Sequence, residues 1–223
     1  MVETHALAYS YPRGPTLHFD DLAAPQGARV LLRGNSGAGK STWLALAAGL
    51  LTATQGEMVM AGQPLSRLSR TDRDRWRARN VGFLPQKLHL SDALSVERNL
   101  ALAFYAAGVP EDHTTLKRAL GMLGVAELAA RRPSQLSGGQ AQRVALARTI
   151  LMQPKVILAD EPTASLDDEA AKKGLGLLEN CAVECGATLM IATHDRRVQQ
   201  ALPDATIFKI GPVDEAGWGG SRP

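Results

Sequence analysis

Apolar residues recur along the chain in two rhythms. Short unbroken runs, Val30 to Leu32, Val156 to Ala159 and Thr188 to Ala192, each stop at polar or glycine-rich residues, as strands buried on both faces do. Val81 to Leu84 is a fourth, weaker run. Between them, apolar positions return at helical spacing over Ser41 to Leu51, Val96 to Ala107, Thr115 to Leu123, Gln140 to Met152 and Glu169 to Cys185. Strands alternating with helices predict an open parallel sheet in an α/β fold. Gly56 to Leu65, with Met58-Val59-Met60 ahead of Ala61-Gly62, predicts a hairpin near the start. From about Leu88 to Arg132 the pattern is almost wholly helical, which predicts a helical subdomain, about 88–150 with the helix that follows, inserted into the α/β core of a single 1–210 domain. The remaining residues, 211–223, are rich in Gly and Pro without periodicity and read as a mobile tail, Trp218 included.

Composition narrows the class. The chain has 223 residues, 45% hydrophobic and 21% charged, enough to bury the core of one compact unit. A membrane-spanning helix needs about 20 mostly apolar residues, and the longest candidates, Trp43 to Leu51 and Ala101 to Val109, are roughly half that, so no bilayer crossing is expected. The start, with His5, Tyr9 and Tyr11, has neither a basic cluster nor an apolar run, which argues against a secretory signal and for residence in the cytosol. Cys181 and Cys185 stand one helical turn apart and read as reduced, part-buried helix residues rather than a disulfide or metal pair. A net charge of +3 is too small to argue for a nucleic-acid partner. The basic charge is nevertheless uneven, because Arg67, Arg70, Arg73, Arg75, Arg77 and Arg79 crowd one stretch in which Asp72 and Asp74 are the only acids. That stretch predicts a solvated helix face, the alternative being a surface close to anionic lipid headgroups or an acidic partner.

The chemistry concentrates in glycine-rich turns and strand ends. Gly34-Asn35-Ser36-Gly37-Ala38-Gly39-Lys40-Ser41 fits the phosphate-loop pattern G-x-x-x-x-G-K-[ST], with an apolar strand before it and a helix, opening on Ser41 and Thr42, after it. Such glycines let backbone N–H groups turn inward around phosphate oxygens while the helix presents its positive end to the same anion. Lys40 adds a mobile charge for the β- and γ-phosphates, and the Ser41 hydroxyl is placed to ligate Mg²⁺. The run Val156 to Ala159 ends in Asp160-Glu161, which brings two acids to the sheet edge where open α/β folds bind ligands. Asp160 is the candidate for the metal and Glu161 the candidate to orient and deprotonate an attacking water. Leu136-Ser137-Gly138-Gly139-Gln140 opens a second helix and offers a second anion site.

With these motifs placed, the chain resembles the nucleotide-binding subunit of ATP-binding cassette (ABC) transporters from about Thr4 to Ile210. The resemblance implies a phosphate-loop ATPase core with a mixed sheet, a small N-terminal antiparallel β part and an inserted helical subdomain, and with ATP and Mg²⁺ as ligands. Leu136 to Gln140 looks like the family's signature turn, so that Ser137, Gly138, Gly139 and Gln140 would face nucleotide held by the other subunit of a head-to-tail dimer. Gly82 to Gln86 resembles the Q-loop, which implies that Gln86 meets Mg²⁺ and the water and couples the helical lobe to the membrane partner. Ser165-Leu166-Asp167 resembles the D-loop, with Asp167 along the dimer seam, and Thr193-His194-Asp195 the switch-histidine motif, with His194 on the γ-phosphate. Tyr11, 23 residues ahead of Gly34, has the spacing of the family's adenine platform, with Tyr9 its rival. Ala28 and Trp43 depart from the family pattern without touching a catalytic role. The stretches Leu158 to Asp167, Gly62 to Leu68 and Arg77 to Gln86 look most like the branch of lipoprotein-releasing, macrolide-exporting and cell-division ATPases. The expected partners are transmembrane permease subunits and a second, identical or similar ATPase subunit, on the cytoplasmic face of the inner or plasma membrane. An importer subunit of similar length and a non-transport ABC ATPase are the alternatives.

Overall fold

The protein is described by a computed structural model over residues 1–164 and 166–211. Ser165 of the D-loop-like motif, and the tail from Pro212 with Trp218, lie outside the described residues. Parallel and antiparallel pairing is divided between two sheets. In the first, β1 (Val2–Ser10) pairs antiparallel with β2 (Thr16–His18), β3 (Leu22–Ala24) and β5 (Gln55–Met60), and β5 turns back into β6 (Gln63–Pro64). That last turn is the expected hairpin, with Ala61 and Gly62 at φ of 51° and 77°. Two consecutive positive φ values match the right-handed twist of the strands they join.

The second sheet is wholly parallel, in the order β10 (Thr206–Lys209), β4 (Arg29–Arg33), β9 (Thr188–Ala192), β8 (Val156–Asp160), β7 (Val81–Leu84). Its strands alternate their buried side chains between two cores, as the period of two requires. Val30, Leu32, Val156, Leu158 and Met190 face α1 (Lys40–Ala47) and the antiparallel sheet, packing on Trp43, Leu44, Met58 and Met60. Leu31, Ile157, Leu189 and Ile191 face the other way, into a cluster that takes in α5 (Gly138–Ile150) through Val144 and Leu146, and α6 (Asp168–Glu184) through Leu175 and Leu178. The same cluster holds Val96, Leu100 and Phe104 of α3 (Val96–Ala107) and Leu116 and Leu120 of α4 (His113–Met122), so the helical lobe shares its core with the sheet.

Helix ends depart from the expected bounds for identifiable reasons. α1 stops at Ala47 rather than Leu51, because Gly49 turns the chain at φ 65° and Leu50 is left exposed. α5 begins at Gly138 rather than Gln140, because Ser137 is already its cap. α2 (Arg70–Asn80) has no buried residue, yet it is not simply a solvated arginine face. Arg73 donates to Thr52 Oγ1 and the Leu68 carbonyl, Arg77 to the Gly49 carbonyl, and Arg79 to the Ala107 carbonyl at 3.1 and 3.0 Å. Half of the arginine run therefore fastens α2 to its neighbours, while Arg67, Arg70 and Arg75 are exposed. Cys181 on α6 and Cys185, its C-cap, are free thiols, and burial pushes Cys181 up to about 12. Among the described residues no helix is long and apolar enough to cross a membrane.

Candidate nucleotide site

The parallel register brings the C-terminal ends of four strands to one edge. Leu32 of β4 stands opposite Ala192 of β9, Asp160 of β8 opposite the same Ala192, and Leu84 of β7 opposite Ala159. The loops that leave these ends must therefore be neighbours, as the ligand-binding edge of an open α/β sheet demands. They surround a cleft of about 930 Å³ lined by Tyr11, Gly34, Asn35, Ser36, Gly37, Gly39, Lys40, Ser41, Thr42, Gln86, Asp160, Glu161 and His194, large enough for a nucleotide. Arg33, which ends β4, and Arg196, which opens α7 (Arg196–Ala201), also line it, although nothing in the motifs singles them out. Their only signal in the sequence is adjacency, Arg33 to Gly34 and Arg196 to Asp195.

Two glycines of the loop are fixed by their surroundings. A Cβ on Gly34 would sit 2.0 Å from the Ile210 carbonyl oxygen, where β10 runs beside β4. Gly39 caps α1 at φ 104°, and a Cβ there would lie 2.8 Å from Leu17 Cδ1. The Lys40 ammonium donates to the carbonyls of Gly34 (2.8 Å) and Asn35 (3.1 Å), so its charge is held against the loop it follows. Ser41 donates from Oγ to Asp160 Oδ2 at 3.1 Å. Burial raises the Asp160 carboxyl above the usual range, opposed by the Ser41 hydrogen bond.

Glu161 follows with φ 47°, a backbone conformation that costs a non-glycine residue roughly 1–2 kcal/mol. It is held there from both sides, by its own N–H on the Ala192 carbonyl (2.8 Å) and by the Ala164 N–H on its carbonyl (3.1 Å). Its carboxylate, 13% exposed, accepts from Thr193 Oγ1 at 3.1 Å and meets His194 Nδ1 at 2.7 Å. The His194 ring is 76% exposed and reaches over the cleft. Tyr11 is partly exposed at the rim, stands edge-on to Tyr9 with centroids 4.9 Å apart, and bonds Thr42 Oγ1 through its hydroxyl. Tyr11, not Tyr9, lines the cleft.

Other expected site residues lie outside this cleft. Ser137, Gly138 and Gly139 are exposed at the start of α5, where Gln140 Oε1 accepts the Ser137 N–H at 2.9 Å and Ser137 Oγ accepts the Gln140 N–H at 3.3 Å. Asp167 caps α6 by accepting the Ala170 N–H at 2.8 Å. Ala38 belongs to the loop without lining the cleft. Arg148, further along α5, donates to the carbonyls of Leu88 (2.6 Å) and His89 (2.9 Å), which ties this helix to the segment that follows Gln86.

A glycine loop closed by lysine, a serine bonded to the first of two strand-end acids, and a histidine on the second define a phosphate-loop nucleotide-binding protein. Residues 17–164 match the model of a family described as ABC transporter. The chain is 37% identical over 191 residues to the lipoprotein-releasing system ATP-binding protein LolD of Psychrobacter arcticus, covering 84% of each chain. It is 40% identical over 195 residues to the macrolide export ATP-binding/permease protein MacB of Wolinella succinogenes, covering 86% of this chain and 30% of that one. A dimeric ATP-binding cassette, solved in a post-hydrolysis state with ADP and Pi, superposes with a TM-score of 0.81 at 29% identity over 95% of this chain and 94% of the other. The chain belongs to the ABC transporter family, as an ATP-binding subunit.

Proposed function

We propose that the chain hydrolyses Mg²⁺-bound ATP and hands the closing and reopening of a head-to-tail dimer to separate transmembrane permease subunits on the cytoplasmic face of the membrane. The observation that carries hydrolysis is the shielded Glu161 carboxylate, oriented by Thr193 and His194 and facing the phosphate loop across the cleft. A general base must be held within hydrogen-bond reach of the proton it removes, and two fixed partners hold this one.

The residues present also suit the metal. Ser41 Oγ and Asp160 Oδ2 offer a hydroxyl and a single carboxylate, the hard oxygen donors that Mg²⁺ combines with phosphate and water. A carboxyl that burial has raised is one that a neighbouring cation favours in its ionised form. Bound there, the ion would neutralise charge on the β- and γ-phosphates. The loop N–H groups and Lys40 hold the phosphates, Tyr11 stacks on the adenine, Gln86, which lines the same cleft, would help to hold the ion and the attacking water, and Glu161 accepts that water's proton. His194 contacts the γ-phosphate while it stays bonded to Glu161.

Ser137 to Gln140 act on nucleotide held by the opposite copy, with Asp167 along the seam. Support comes from the exposure of Ser137, Gly138 and Gly139, the absence of that turn from the lining of the chain's own cleft, and the dimeric state named for the superposed cassette. The names of LolD and MacB support a place among lipoprotein-releasing and macrolide-exporting systems. Glu161→Gln tests the core of this reading. Turnover should fall about 10²–10⁴-fold with ATP binding retained, and an unchanged kcat would overturn it.

A further inference from the structure

The segment after β8 and the segment after β9 meet at three points. The first meeting is the bond of Thr193 and His194 to Glu161. The second is the bond of Thr163 Oγ1 to Asp195, and the third is made by Arg197, on the first turn of α7. Its Nε donates to both oxygens of Asp195 (3.1 and 2.9 Å), while Nη2 stands 2.8 Å from Asp195 Oδ2. Its Nη1 donates to the Leu166 carbonyl at 3.1 Å and to Asp168 Oδ1 at 2.8 Å. Asp195 is in turn held by Thr163 Oγ1 at 2.7 Å. One planar guanidinium therefore joins the residue beside His194, the backbone at Leu166 and the first turn of α6. A lysine ammonium, a compact charge on a flexible stem, cannot span these three acceptors in fixed directions.

We propose that Arg197 is a positioning residue for ATP hydrolysis, holding the Leu166-Asp167-Asp168 stretch in register with His194 so that dimer closure and the Glu161–His194 pair are set together. This rests on the hydrolytic and dimeric reading given above. A group acting on the seam rather than on nucleotide leaves ATP affinity alone and changes turnover and cooperativity.

The experiment uses the full chain and its Arg197→Ala variant, with ATP hydrolysis and equilibrium ATP binding measured well below the thermal midpoint. Turnover per folded molecule falls about ten- to hundredfold, as a small misplacement of reacting groups allows, and the Hill coefficient for ATP drops, while the ATP Kd stays within about twofold. Arg197→Lys, which keeps the charge opposite Asp195, recovers part of kcat. Asp168→Ala guards against a folding artefact, because the Asp168 carboxylate is 93% exposed and its loss removes only the α6 arm. That variant lowers kcat about threefold, and combined with Arg197→Ala adds nothing further, as groups in one network do. An unchanged kcat and Hill coefficient in Arg197→Ala, a fall in kcat matched by lost ATP affinity, or simple additivity with Asp168→Ala would each overturn the proposal. Failure of the underlying reading looks different: the unaltered chain would show no ATP turnover that Glu161→Gln removes.

Discussion

Two helices of this chain begin at glycine-rich turns, and the two starts are finished in opposite ways. α1 follows Gly39 with no side-chain cap and no acidic residue in its first turn. α5 follows Ser137 with both halves of a capping box made, Ser137 on Gln140 and Gln140 on Ser137. Helix N-termini leave about four N–H groups without intrahelical partners, and the macrodipole places roughly half a positive charge there. In α1 those donors are kept for an anion, and the loop, Lys40 and Ser41 are arranged around the same point. In α5 the N–H groups of Ser137 and Gln140 are already partnered within the turn, and those of Gly138 and Gly139 are left for an acceptor from outside it. The difference shows that glycine richness alone does not make a phosphate cradle within one copy of the chain. What matters is how many of the helix-start donors a side chain has already claimed.

The sharpest way to break this contrast is at Lys40. Lys40→Ala should raise the ATP Kd about hundredfold, since it removes a buried-side charge from the anion, with the fold intact by circular dichroism. Ser137→Arg should leave ATP binding by the chain itself within about twofold yet abolish the ATP-dependent dimer of the Glu161→Gln background, read by light scattering. Were Ser137→Arg to weaken binding as much as Lys40→Ala, the two starts would not differ in the way described. The smallest effect belongs to Ser137→Ala, which should cost about 1 kcal/mol in denaturant unfolding by losing a cap, with ATP binding unmoved.

Much of the site was legible in the sequence because its parts are short and their context is local. Val156 to Ala159 reads as a buried strand from its apolar run alone, and the acids that end it fall at the sheet edge by necessity. The same holds for Lys40 and Ser41 after β4. What resisted reading depends on distant neighbours. β1 is nine residues long, but its alternation breaks at the register shift between His5 and Ala8, where Ala6 takes φ 46°. β10 is mostly exposed apart from Phe208, so no apolar run announces it. α2 was legible as a charged helix face, but its anchoring was not, because apart from Trp76 it rests on guanidinium groups reaching carbonyls of Gly49, Leu68 and Ala107. Arg197 was invisible for the same reason: its acceptors Leu166 and Asp168 lie about thirty residues away and are brought near only by the pairing of β8 with β9. The glycines at the head of α5 read as loop because glycine is a poor helix former, and only the Ser137 cap carries the helix back to include them.

Trp43, the departure from family pattern three positions past Lys40, is fully buried on α1, tilted against Phe208 with centroids 5.8 Å apart, and its indole N–H has no hydrogen-bond partner among the described residues. An indole in such dry surroundings emits at the blue end of its range, and its ring belongs to the helix whose first residue carries the ammonium of the phosphate loop. The helix that receives the nucleotide thus contains its own optical gauge. With Trp76 and Trp218 replaced, small movements of α1 can be followed by intrinsic fluorescence, with no label attached to the protein.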